Sequence, residues 1–255
     1  MTPNHEAALV LRSIRHGESS RILTLLCRQI GKVAVIAKGA RKGKHGGGAL
    51  SPPSLIEAVI YMKTSREVQT LGSVHSIHNY NVIKNDLTRS AYAAAILELA
   101  NRASTEEEGN PELFELILET LNELDIETGK PKITFWRFNL QLMRVSGISF
   151  DVNICPICGT SEYKVNTHNR VSHADGGVCC TNCRPSNGEV STISGETLSI
   201  LRQLVNGSIM LQTRLKPSKL AQDEISRLLE NYLRYHIPGL GKLPALQMLK
   251  NFDTK

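Results

Sequence analysis

The apolar residues of this chain change period once, near residue 80, and that change limits the fold more than any single motif. Before it, β-branched and apolar residues come in short runs at 7–15, 21–27, 32–38, 54–62 and 68–77. Polar turn signals separate them, among them His16-Gly17-Glu18-Ser19 and Gly31. Five such runs at spacings of about ten residues predict a small closed barrel or sandwich. From Asp86 the spacing becomes helical: Leu87, Ala91, Ala94, Ala95, Leu97 and Leu99, then Leu113, Leu116, Ile117, Leu121 and Leu124. The expected class is therefore α+β, with a β-domain at 1–80 and a helical domain at 81–255. The five-stranded OB-fold barrel fits the strand count, and such barrels bind single strands on one face and its loops.

Charge is distributed as unevenly as period. Residues 1–80 carry eleven Lys and Arg against four Asp and Glu, a net +7, whereas 81–150 net −4 and 151–255 net +3. The most basic stretch, Lys38-Gly39-Ala40-Arg41-Lys42-Gly43-Lys44-His45-Gly46-Gly47-Gly48, has no carboxylate and no apolar residue larger than alanine. It reads as a loop able to hold a phosphate backbone without reading bases. On the third run Val33, Val35 and Ala37 share one face, so Lys32 and Lys38 point outward. Arg12, Arg15 and Arg21 flank the first turn. With Arg41, Lys42 and Lys44 these make a candidate phosphate track, although each alone is better explained as a solvated charge. Tyr61 and Tyr80 are the only aromatic residues in 1–80, so binding is expected to be electrostatic, sequence-tolerant and salt-sensitive. The loop is not a nucleotide cradle, because Gly43-Lys44 is followed by His45 where a P-loop needs Ser or Thr.

In the helical region Asp86 reads as an N-cap, and 105–111 breaks the pattern before a second helix. A third helix over 132–145, with Phe135, Trp136 and Phe138, is apolar on more than one face and belongs at the centre of a bundle. Arg137 or Arg144 beside it could receive a short acidic, apolar peptide. Ser194-Gly195-Glu196-Thr197 starts a further helix, and a long one follows Pro217-Ser218 until Pro238-Gly239 stops it. Residues 241–255 suggest a short helix and a loose tail.

Between these helices lie two Cys-x-x-Cys knuckles, Cys155-Pro156-Ile157-Cys158 and Cys180-Thr181-Asn182-Cys183. Four thiolates on two tight turns suit tetrahedral zinc, and four protein ligands make such a site structural. The 21-residue spacer slightly exceeds the usual ~15–20 for paired knuckles. Cys179, His168 and His173 are the competing ligands. The zinc ribbon would form an insertion at about 150–190. The N-terminus lacks a secretory signal and no run approaches the ~18 apolar residues of a membrane helix, so a cytoplasmic, nucleoid-associated protein is expected.

Read in order, the chain resembles the RecO family of bacterial recombination-mediator proteins. The likeness rests on Gly31-Lys32-Val33, then Ile36-Ala37-Lys38-Gly39-Ala40-Arg41, and Leu50 with Pro52 and Pro53. It continues through Phe135 to Leu142 and Gly147, Cys155-Pro156-Ile157-Cys158-Gly159 with the late cysteine pair, and Leu228 to Tyr235 before Pro238. The resemblance implies an OB-fold, a helical domain and a zinc-bearing insertion. It implies binding of single- and double-stranded DNA, annealing of complementary strands and partnership with RecR. It implies help to RecA in replacing single-strand-binding protein, whose acidic C-terminal tail would dock on the helical domain; the resemblance assigns no residue to that dock, and Arg137 is a guess from its place on the third helix. No Ser/His/Asp arrangement, carboxylate pair or open metal site argues for catalysis. Two other readings share most features: a zinc-ribbon protein of RNA binding or transcription, and a nucleic-acid-processing enzyme.

Overall fold

The computed structural model describes residues 2–42, 48–104, 108–161, 168–206, 214–240 and 244–253. It divides into two compact units, Met1–Pro131 with Lys242–Lys255, and Lys132–Gly241. Eight strands are present among the described residues: β1 Thr2–His16, β2 Ser20–Cys27, β3 Gly31–Ala37, β4 Leu55–Met62, β5 Val68–His78, β6 Asn169–Ser172, β7 Gly177–Cys179 and β8 Val190–Ile193. The helices are α1 Asn81–Asn85, α2 Leu87–Ala103, α3 Pro111–Leu124, α4 Pro131–Val145, α5 Gly195–Asn206, α6 Lys219–His236 and α7 Pro244–Asp253.

The first five strands close into a barrel in the order β1-β2-β3-β5-β4. Alternation along β3 sets its two faces: Gly31, Val33, Val35 and Ala37 are buried, while Lys32, Ala34 and Ile36 stay partly exposed. Val10, Leu23, Leu25, Ile56 and Ile60 complete the core with them. The first strand starts earlier than its apolar run. Its N-terminal half pairs with β4 from Thr2↔Met62 to Leu9↔Leu55, and its C-terminal half pairs with β2. A register shift between Val10 and Arg12 lets one strand serve both neighbours. Polar Thr2 to His5 owe their strand conformation to that backbone pairing, which no apolar pattern announces.

Helix starts follow local chemistry. The Asp86 carboxylate accepts the Arg89 N–H at 2.8 Å, and Asn110 accepts the Leu113 N–H at 2.9 Å. The turn between β2 and β3 meets the segment before α3 so closely that a Cβ on Gly31 would lie 2.2 Å from the Glu108 carbonyl oxygen. The final helix α7 packs on α2, with Glu98 accepting the Ala245 N–H at 3.0 Å.

In the second unit Trp136 is buried on α4 and donates to Ser226 Oγ on α6 at 3.1 Å. Phe138 is buried beside it, so this aromatic cluster is core. Ser194 and Ser218 cap α5 and α6 through the Thr197 and Ala221 N–H groups. Strands β6, β7 and β8 form a small sheet in the order β7-β6-β8. Two contacts tie the segment around residue 150 to the helices: Tyr232 Oη donates to the Ser149 carbonyl at 2.6 Å, and Arg202 Nε donates to the Val152 carbonyl at 2.9 Å.

Candidate functional site

The basic residues divide by strand register. Arg15 pairs across with Arg21, and Arg21 with Ala37, at the end of β1, β2 and β3 that leads into Lys38. A 3-10 turn at Ala40–Lys42 follows. Gly39, at φ 72°, allows the reversal into it. The Arg41 N–H bonds the Ser19 carbonyl at 3.0 Å and its guanidinium bonds the Gly17 carbonyl at 3.2 Å. This turn is thereby fastened to the β1–β2 turn. Arg15, Arg21, Lys38, Arg41 and Lys42 thus gather at one end of the barrel, and all but half-buried Arg21 are exposed. Among the described residues no carboxylate pairs with Arg12, Arg15, Arg21, Arg41 or Lys42. Lys44 lies outside the described residues.

The register does not bring two members of the track to that end. Arg12 stands opposite Thr24, three residues back along β1. Lys32 lies near the start of β3, and its Nζ donates to the Asn101 carbonyl in the last turn of α2 at 3.1 Å. That carbonyl belongs to the negative end of the helix dipole, so Lys32 fastens helix to barrel. Sequence reasoning also passed over the β4–β5 turn, where exposed Lys63 and Arg66 sit. Gln69, 1 % exposed, holds it: its side chain accepts the Lys63 N–H at 2.8 Å and donates to the Lys63 and Arg66 carbonyls at 3.2 and 2.7 Å. Two basic residues in the short spacer at 63–67 were the only available signal.

In the second unit, Cys155, Cys158, Cys180 and Cys183 place their sulfur atoms within 4.8 Å of one another. Among the described residues they are the one group of His, Cys, Asp or Glu side chains gathered closely enough to share a metal ion. The first knuckle is a tight turn closed by the Gly159 N–H to the Cys155 carbonyl at 2.9 Å, with Gly159 at φ 74°. Cys158 and Cys180 Sγ lie 3.8 Å apart, and the Cys180 N–H points to Cys155 Sγ at 3.3 Å. Arg170 braces the second knuckle by donating to the Cys183 carbonyl at 2.8 Å. Burial raises the Cys155 thiol, but N–H groups of Cys180, Cys158 and Ile157 outweigh it and bring the pKa down to about 6. Hydrogen bonds to Cys158 and Cys180 push Cys183 up to about 12. One thiolate among crowded thiols raises its neighbours; a divalent cation stabilises all four as thiolates. The donor set therefore fits a metal ion.

The competing ligands lie outside this group of four, although Cys179 packs against its cysteines. Cys179 lies on β7, buried, across from Arg170. His168 is exposed outside the cluster. His173 is wholly buried, bonded through Nε2 to Ser191 Oγ at 2.9 Å and packed on the Tyr232 ring at 5.0 Å. On α4 Arg137 is 8 % exposed, whereas Arg144 near the helix end is exposed. No helix of the described residues is long and apolar enough to cross a membrane.

Comparison with known proteins covers nearly the whole chain. Residues 1–80 match the family model for the N terminus of recombination protein O, and residues 84–245 match that for its C terminus. A DNA repair protein RecO from Bacillus velezensis is 32 % identical over 247 residues, which is 95 % of this chain and 94 % of that protein. One from Anaeromyxobacter sp. is 30 % identical over 231 residues, 90 % of this chain and 89 % of the relative. That of Bacillus subtilis is 34 % identical over 198 residues, 76 % and 74 % of the two chains.

Proposed function

This chain belongs to the RecO family of DNA repair and recombination proteins, and from that premise we propose that it binds and anneals DNA strands without catalysing a reaction on them. The observation that carries this reading is the gathering of Arg15, Arg21, Lys38, Arg41 and Lys42 at one end of the barrel. Annealing needs two polyanions held together with their charge neutralised, and a cationic surface supplies that without acid–base chemistry. In the cell the protein would act with RecR to help RecA replace single-strand-binding protein. The acidic C-terminal tail of that protein would dock on the helical domain, with Arg137 as the first residue to substitute. We assign the polyanion to the module at 1–80 and the protein contacts to 81–255, in a cytoplasmic, nucleoid-associated setting.

The four cysteines would hold one zinc ion. Four thiolate ligands leave no open coordination position, so the ion would brace the insertion at about 150–190 and take no part in strand chemistry.

The test is duplex formation from complementary oligonucleotides, without nucleotide or added metal. Acceleration that disappears at high salt and in the Arg41→Ala, Lys42→Ala, Lys44→Ala variant supports the reading. Strand cleavage in magnesium would replace it with a processing enzyme, and a strong preference for RNA with an RNA-binding protein.

A further inference from the structure

We propose that the four-cysteine group is also a peroxide-modification site, at which Cys158 is the sulfur attacked and Cys180 the sulfur that closes a disulfide on it and so opens the metal site. This rests on the reading that the group holds a zinc ion, and it gives that structural site a reaction. The six cysteines differ sharply in access. Cys158 is exposed and Cys183 half-buried, whereas Cys27, Cys155, Cys179 and Cys180 are buried. Peroxide attacks thiolates, not thiols. A divalent cation keeps all four sulfurs of the group as thiolates, so exposure decides which of them a small oxidant meets first. That sulfur is Cys158.

Geometry selects the partner. Cys158 and Cys180 Sγ lie 3.8 Å apart, so Cys180 needs no access to solvent to reach the sulfur beside it. Cys155 is a poorer partner. It is buried, and the N–H groups of Cys180, Cys158 and Ile157 already bond its sulfur; charge held in that way is less nucleophilic. In the first step the Cys158 thiolate attacks one peroxide oxygen. An S–O bond forms, the O–O bond breaks, and the departing hydroxide takes a proton from solvent, leaving a sulfenic acid and water. The Cys180 thiolate then attacks the Cys158 sulfur. An S–S bond forms, the S–O bond breaks, and the second hydroxide is protonated to water. The two thiolates together lose two electrons, and one hydrogen peroxide is reduced to two waters. Cys155 and Cys183 remain, two donors where a tetrahedral ion needs four, so the ion is released. A thiol reductant reverses the disulfide and restores the site.

The experiment treats the zinc-loaded full chain with a small excess of hydrogen peroxide. A chromogenic chelator follows the release of zinc, and tandem mass spectrometry of alkylated peptides maps the disulfides. The parent should release about one equivalent of zinc per chain as a Cys158–Cys180 disulfide appears at the same rate. Dithiothreitol with added zinc should restore both. Cys158→His keeps a zinc donor without an oxidisable sulfur, and it should release zinc about tenfold more slowly. If that variant takes up no zinc, the disulfide map of the parent decides alone. Cys179→Ser should respond as the parent does. Zinc that stays bound under peroxide, or leaves with Cys158 unmodified, overturns the proposal while the metal reading stands. A bond from Cys158 to Cys155, Cys179 or Cys183 overturns the role of Cys180. A parent protein that takes up no zinc overturns the underlying reading itself.

Discussion

Arg15 on β1 and Arg21 on β2 stand directly opposite each other, with no carboxylate among the described residues to separate their charges. Like charges facing across a strand pair cost on the order of 0.2–1 kcal/mol. A polyanion lying over both would relieve that repulsion, so the pairing would weaken the free barrel and strengthen a bound one. Arg15→Thr should therefore raise the melting temperature slightly while lowering DNA affinity and flattening its salt slope. Thermal unfolding and a binding titration on one preparation check both signs.

A metal ion held by the four cysteines should behave as part of the fold. Replacing Cys155 and Cys158 by Ser removes two of the four sulfur donors gathered within 4.8 Å. About one equivalent of bound zinc should be lost by elemental analysis, and proteolysis at 150–190 should accelerate, because ribbon-type sites draw their folding energy from the ion. Unchanged metal content would refute the ligand set.

Backbone contact between barrel and helices makes two glycines irreplaceable. A Cβ on Gly31, at φ 74°, would lie 2.2 Å from the Glu108 carbonyl oxygen; one on Gly109 would lie 1.9 Å from that of Gln29. The atoms met are backbone, so neither side can yield cheaply. Gly31→Ala and Gly109→Ala should each destabilise the fold by roughly 2–4 kcal/mol, read by urea denaturation. A change under about 0.5 kcal/mol would mean that the two segments part easily.

Acid sensitivity should come from His173. Desolvation lowers its pKa, the Glu189 carboxylate raises it in opposition, and His236 adds to the lowering. The Tyr232 and Tyr235 rings cover it from α6. The folded pKa lies below the unfolded value of about 6.5, so the unfolded chain binds the proton first. Stability from burying the neutral ring is fully present above that value and is lost as pH falls from there through the folded pKa. The fall in melting temperature between about pH 7 and 5 should be shallower in His173→Gln. Identical slopes would show that this ring does not titrate on unfolding.

What the sequence made legible followed from local chemistry. Alternation along 32–38 fixed which residues of β3 face the core, Asp86 announced its helix as a capping residue, and Ser194-Gly195-Glu196-Thr197 and Pro217-Ser218 marked where two further helices begin. The paired knuckles brought their four cysteines together because each turn delivers two thiols by itself. The illegible parts depended on long-range register. Thr2 to His5 became strand because β4 lies alongside, and Lys32 became a tether because the end of α2 sits beside it. Gln69 looks like any strand glutamine until the turn it supports is in view.

We propose that cations gathered at one barrel end hold DNA by its phosphates. The salt dependence of single-strand affinity, compared between the parent and a variant with Arg15, Arg21, Arg41 and Lys42 replaced by Ala, tests it most directly. The parent slope should fall by about 0.7 for each phosphate contact removed, with affinity at low salt lowered by orders of magnitude and the fold retained. A folded variant that binds with the parent's affinity and slope would contradict it.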